Sequence, residues 1–258
     1  MADNAVKTVD RVAAILQALA DTRSGNGLPL AELASETGLS KPTAHRLLGA
    51  LGNVGFTYQE LESRRYRLGS GAAALGRAAH RQDLSALATP ALSRLAEATG
   101  DTAFASVVEG SASVCVARAV GSFPIRTLTL EVGSRRPLGV GAGSLALLAA
   151  LSDAEVERSI ALNRNWLTDF AGFAPEELPG LVARTRRDGH ALNEGRIVEA
   201  MSAIAFAARD AAGRPFLALS LAAIRDRMGD ARLPELVRLL HEEARRLEEL
   251  HAVGNARR

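Results

Sequence analysis

Seven consecutive residues, Ser40-Lys41-Pro42-Thr43-Ala44-His45-Arg46, carry the densest recognition chemistry in the sequence. An arginine can offer two parallel donors to the edge of a guanine. A threonine methyl or a small side chain can meet the methyl of thymine. Lysine, serine and threonine suit phosphate oxygens, which fix position without reading sequence. Together they suit the first turns of a helix entering a major groove, with double-stranded DNA as the partner. A second basic group, Arg64, Arg65 and Arg67, falls within four residues and would lie over the backbone or the minor groove. On this reading Arg46 is the base-reading residue and Arg65 a phosphate contact.

Catalytic chemistry finds no comparable set. The one cysteine, Cys115, sits in the apolar run "SVCVARAV" and reads as a buried core thiol, and a single cysteine allows no intrachain disulfide. The five histidines, at 45, 80, 190, 241 and 251, form no close metal-binding pair with cysteine or carboxylates. The glycine-rich stretch "GVGAGSLALL" lacks the lysine of a phosphate-binding loop, so nucleotide binding is rejected. Glu242, Glu243, Glu248 and Glu249 interleave with arginines as on a solvated helix face. No catalytic residue, metal ligand or cofactor is therefore expected.

The elements that must position the basic residues follow from periodicity. Residues 9–20 place Val9, Val12, Ala13, Leu16 and Leu19 on one helical face, with Thr8 as its N-cap. A second helix runs from Leu30 to Thr37 and stops at Gly38. Ser40 then caps a third, which tolerates Pro42 in its first turn and turns Ala44, Leu47, Leu48 and Leu51 inward. Phe56 and Tyr58, then Tyr66 and Leu68, alternate with polar residues as two short strands. Three helices and a hairpin make a winged helix-turn-helix.

Beyond it, the alanine-rich residues 70–81 read as a linker helix, and a separate helix follows at 84–98. Strands are expected at "TAFASVVEG", "ASVCVARAV" and "IRTLTLEVG", and in a hairpin about Gly213. Helices are expected after the glycine-rich turn, at "SDAEVERSIAL", at "APEELPGLVARTRRDG", each of these two with an acidic first turn, and at 233–250. Only the tail "AVGNARR" reads as unstructured. The fold class is α+β with an antiparallel sheet.

Composition agrees. Of 258 residues, 47% are hydrophobic and 23% charged, which is globular. The sequence pI is near 9.1, yet the net charge is only +2. Residues 1–80 hold nine Lys+Arg against seven Asp+Glu, while the rest balance at 22 each, so the surplus lies with the basic motifs. No apolar run reaches the roughly 20 residues of a membrane span, and the first ten residues lack the features of a signal peptide. A cytoplasmic protein without a membrane partner is expected.

The segments "TVDRVAAILQALA", "LPLAELASETGLSKPTAHRLLGALGNVGF" and "RRYRLGSGAAALG" resemble the DNA-binding domain of the IclR family of bacterial transcription regulators. "VGSRRPL", "RRDGHALNEG" and "SAIAFAARDAAGRPFLALSLAAI" are similar to that family's effector domain, in the same order. The resemblance covers about residues 8–250. It implies a DNA-binding domain at 1–69, a linker helix at 70–82 and a GAF-like effector-binding and oligomerisation domain at 83–258. It also implies a homodimer or dimer of dimers, operator DNA as partner, and control by a small-molecule effector, often an organic or aromatic acid.

The resemblance further places the effector against Leu138, Gly139, Val140, Gly141, Ala142, Gly143, Ser144, Asn193, Met201, Ser202, Ala203 and Ser220. This chain departs from the family's polar pattern there. Gly139 and Gly141 stand where His and Thr are usual, Ala203 where Cys is usual, Asn193 where some members are acidic, and Ala222 where a second Ser is usual. Ser144, Ser202, Asn193, Ser220 and the amides of 139–144 remain as donors. A compact dicarboxylate would be poorly matched, because unpaired buried charge is costly. The expectation is a roomier, more apolar pocket with one polar end.

Overall fold

Apolar stripes at helical spacing build the first of two units, Met1–His80 and Arg81–Arg258, in the computed structural model, which describes residues 2–22, 26–127 and 129–256. Part of the expected turn at 21–27, Leu128 and the last two residues lie outside the described residues. In the first unit, α1 (Ala2–Ala20), α2 (Leu30–Glu36) and α3 (Lys41–Asn53) pack with a ribbon of β1 (Thr57–Gln59) and β2 (Tyr66–Leu68). The α1 helix begins before Thr8, because nothing in "ADNAVK" breaks it. Its inward stripe is Val12, Ile15, Leu16 and Leu19. Val9 is 66% exposed, so the face expected from the sequence is rotated by one position about Ile15.

Between α2 and α3 the chain turns through Gly38 at φ +65°, a left-handed backbone that favours glycine. Ala44, Leu47, Leu48 and Leu51 of α3 are buried as expected. In the ribbon, Thr57 and not Tyr58 faces inward. The Thr57 hydroxyl donates to the Leu48 carbonyl at 3.1 Å, whereas Tyr58 is exposed. Phe56 lies before the strand and packs on the core with buried Tyr66.

The two helices expected over 70–98 are one, α4 (Ser70–Thr99). No residue between 81 and 84 can stop a helix, and Pro90 sits on its exposed side. In the second unit, β3 (Thr102–Glu109), β4 (Ala112–Ala119), β5 (Arg135–Pro137), β6 (Ala191–Glu194), β7 (Met201–Arg209) and β8 (Pro215–Ile224) form one antiparallel sheet. Its order is β5-β4-β3-β8-β7-β6. The remaining helices are α5 (Ala142–Ala149), α6 (Asp153–Leu167), α7 (Leu178–Asp188) and α8 (Leu233–Ala256).

Both sheet faces are covered. Leu92 and Leu95 of α4 and Leu236 and Leu240 of α8 pack on Val107, Val116 and Leu219. Leu147, Leu148, Ile160 and Leu178 of α5, α6 and α7 cover Ala205 and Ala218 on the other face. Double coverage explains why β8 reads as a nearly unbroken apolar run. Truncating a fully buried leucine such as Leu148 costs about 2–5 kcal/mol.

Several expected boundaries move. The described part of 125–133 is not a strand. The edge of β4 is taken by Arg135–Pro137, paired with Ala112–Val114, and by the Gly133 amide bonded to the Cys115 carbonyl. Strand β6 was not expected. Glu176 and Glu177 precede α7 instead of opening it. The C-terminal helix continues through Ala256, so most of the tail read as unstructured is helical.

Candidate functional site

The exposed face of α3 carries Lys41, Pro42, His45 and Arg46. Among the described residues, the side chains of Lys41, His45 and Arg46 make no hydrogen bond or ion pair within the chain, so three donor groups face solvent together. Ser40 caps the helix: the Thr43 amide donates to its hydroxyl at 3.4 Å, and the two hydroxyls lie 2.9 Å apart. Ala44 is corrected. Its side chain is 0% exposed in the core, so it cannot meet a base.

The three wing arginines differ. Arg64 is exposed at φ +57°, with no side-chain partner among the described residues. Arg65 is half-buried, and its Nε donates to the carbonyls of Asn26 and Gly27 at 3.1 and 3.0 Å. Arg67 donates to Glu60 at 3.4 Å, while its own Nε is buried and unbonded. Arg64 is thus the fully available cation of the wing, and Arg65 also holds the loop before α2.

The second unit holds an open-mouthed cavity. Strand alternation builds its floor: Phe104 and Ser106 from β3, Ser113 and Cys115 from β4, Ser220 and Ala222 from β8. Asn193 of β6 and Ala203 of β7 add a wall, and Val140 to Ser144 bring in the N-terminus of α5. Thr129, Leu130, Ser134, Arg136 and Ile197 complete it. Gly141 is at φ +89°, and a Cβ there would sit 3.4 Å from both an Arg136 Nη and Ile197, so glycine keeps this corner open. The first-turn amides of α5 are the orphan donors of a helix start.

Of the residues expected to line the pocket, Val140, Gly141, Ala142, Gly143, Ser144, Asn193, Ala203 and Ser220 do. Four do not. Ser202 points to the opposite sheet face from Ala203, because adjacent strand residues alternate, and Met201 does likewise not line the cavity. Leu138 is buried in the core beneath α5. Gly139, at φ +107°, packs under Leu148 and Leu178. The Ser144 hydroxyl is taken up by the turn, accepting from the Gly139 amide at 2.8 Å and donating to the Pro137 carbonyl at 3.3 Å. The Asn193 Oδ1 accepts from the Arg196 amide at 3.2 Å.

Sequence reasoning missed Phe104, Ser106, Ser113, Cys115 and Arg136 as lining residues. Their signal was period two counted from Ser220 across the paired strands, together with a correct placement of β5. On that edge Arg135 points outward to Glu109 at 2.6 Å, and its neighbour Arg136 points inward. Burial pushes the Arg136 guanidinium below its ordinary range, with no carboxylate to oppose it. Burial also pushes the Cys115 thiol up to about 11. Among the described residues no cluster of His, Cys, Asp and Glu suits a metal ion, and no helix is long and apolar enough to cross a membrane.

Comparison with known proteins agrees with both units. The profile of the IclR helix-turn-helix domain matches residues 8–61, and that of the bacterial transcriptional regulator IclR C-terminal domain matches residues 76–249. The HTH-type transcriptional regulator BhcR of Paracoccus denitrificans is 30% identical over 246 residues, covering 94% of this chain and 86% of BhcR. A solved IclR-family regulator from Rhodococcus sp. superposes with a TM-score of 0.69 at 23% identity, covering 95% of this chain and 93% of that one. An IclR homolog from Microbacterium hydrocarbonoxydans, solved with 4-hydroxybenzoate, superposes with a TM-score of 0.55 at 24% identity over 94% and 98% of the two chains. The relatives are regulators and not enzymes, in keeping with the absence of catalytic motifs from the sequence. On the two profile matches and the full-length similarity to BhcR, the chain belongs to the IclR family of bacterial transcriptional regulators.

Proposed function

We propose that this regulator is a cytoplasmic repressor that binds double-stranded operator DNA and releases it in response to a small-molecule effector. Residues 1–69 form the DNA-binding domain, 70–82 a linker and 83–258 a GAF-like effector domain. The observation that carries the reading is the α3 face, where Lys41, His45 and Arg46 are exposed and unengaged within the chain. Ser40, Pro42, Thr43 and the wing arginines surround that face. The protein acts as a homodimer or dimer of dimers, which two operator half-sites would match. Val6 and Val9 of α1 and Leu75 of α4 stand 58–66% exposed, as expected of side chains a second copy covers.

The effector is an organic or aromatic acid held in the cavity of the second unit. The mixture of apolar wall and convergent polar groups there supports this, as does the 4-hydroxybenzoate bound by the Microbacterium homolog. The test is a gel shift on the DNA upstream of the protein's own gene, with and without a panel of aromatic, aliphatic and dicarboxylic acids. Specific binding over competitor DNA, weakened by one class of acid, is the expected result. Equal affinity for any sequence at moderate salt would refute operator recognition.

A further inference from the structure

We infer that Arg136 sets the specificity of the cavity: it selects ligands carrying a single anionic group, which replaces or joins the Thr129 carbonyl as its partner. This rests on the reading of the cavity as the effector site. Arg136 Nη2 donates to the Thr129 carbonyl at 2.5 Å, and no acidic side chain pairs with it among the described residues. Arg135 beside it on the strand edge and Arg81 of α4 show what a structural arginine looks like here. Both pair with Glu109.

The remaining polar side chains around the cavity are neutral, among them the hydroxyls of Ser106, Ser113 and Ser220 and the Asn193 amide. One cation with neutral company fits one carboxylate, since a second would be left without a counter-charge. A guanidinium can hold a carboxylate by two parallel bonds and still spare a donor for Thr129. Phe104, Leu130 and Ile197 offer the apolar contacts for the body of such a ligand. A half-buried arginine bonded to one carbonyl keeps further donors free for a ligand.

The test uses the full-length protein and three matched pairs, benzoate and benzamide, phenylacetate and phenylacetamide, hexanoate and hexanamide, with succinate as the dianion, each at about 10 mM in a thermal-shift assay. At least one monoacid is expected to raise the Tm of the wild type, with its amide and succinate doing less. Arg136→Met should weaken that acid by about tenfold or more while leaving the ligand-free Tm unchanged or higher. Arg136→Lys, which keeps the charge but loses the fork, should fall between.

An acid response unchanged in Arg136→Met overturns the assignment. So does a ligand-free Tm several degrees lower, which would make Arg136 a structural latch on Thr129, and so does the absence of a shift with all three acids. Gel shifts separate this from the underlying reading. An acid that binds through Arg136 without altering operator affinity keeps the anion site and removes its regulatory role. Operator release that is equal in wild type and Arg136→Met keeps the regulation and removes Arg136 from it.

Discussion

Asp101 and Arg232 are joined at 2.6 Å, and Arg227 holds the other Asp101 oxygen at 2.8 Å. The Asp101 side chain is 1% exposed. Both guanidinium groups also donate to the Thr99 carbonyl, at 2.9 and 2.6 Å, in the last turn of α4. Arg227 further lies over the Phe123 ring, 3.8 Å from its centroid. One carboxylate thus pins the end of α4, the start of β3 and the approach to α8. Asp101→Ala would leave two partly buried cations without their anion, and we expect a loss of about 3 kcal/mol in urea unfolding of the full chain. A midpoint within error of the wild type would show that the cluster only decorates the surface.

The proposed DNA contacts divide by what each side chain is free to do. Arg46 is unengaged on the exposed face of α3. Arg46→Ala should cost about 1–3 kcal/mol at the specific operator and relax its sequence preference. Arg64→Ala should weaken all sequences alike and reduce the slope of log K against log salt by about 0.9. Arg65→Ala carries a second effect, since Arg65 also ties down Asn26 and Gly27. Titrations at several salt concentrations on operator and scrambled DNA decide between these roles. A uniform loss from Arg46→Ala would move that residue to the backbone-contact class.

The α3 helix was legible because its signals are local: a left-handed glycine at 38, a capping serine at 40 and an apolar stripe at 44, 47, 48 and 51. The cavity was legible only in part. Its glycine-rich turn lies in one segment, but Phe104, Cys115 and Arg136 reach it only through pairing across β8, β3, β4 and β5. A strand placed at 125–133 instead of 135–137 hid the fact that Arg135 and Arg136 face opposite ways. Helix boundaries failed where the sequence changes composition without a breaker, as at Thr8 and between residues 81 and 84. Arg136, which lines the cavity, was not among the donors expected there from the sequence.

Ser144 shows how a residue can line a cavity without serving what enters it. Its oxygen accepts the Gly139 amide and its proton goes to the Pro137 carbonyl, closing the turn that leads into α5. Ser144→Ala would strand the buried Gly139 amide, at a cost of about 1–3 kcal/mol. The expected signature is a lower Tm, with the acid response altered no more than the lost stability explains. Loss of acid binding at undiminished Tm would make the hydroxyl a direct ligand contact.

Cys115 reports on the same floor through its chemistry. It is 2% exposed, its thiol donates to the Ala117 carbonyl at 3.5 Å, and burial raises its pKa to about 11 despite Arg118 and Arg136 nearby. At pH 8 only about one thiol in a thousand would then be thiolate. Iodoacetamide should label the native protein very slowly there and the unfolded protein fast, with the native rate rising about tenfold per pH unit. The linkage has a definite sign. The folded pKa lies above the unfolded value of about 8.5, so the folded state holds its proton more tightly. Its stability contribution is complete below about 8.5 and declines as pH rises toward 11, and Cys115→Ala should remove that decline. Rapid native labelling at pH 8, read by mass spectrometry, would mean that the two arginines outweigh burial and that the thiol is a reactive member of the cavity.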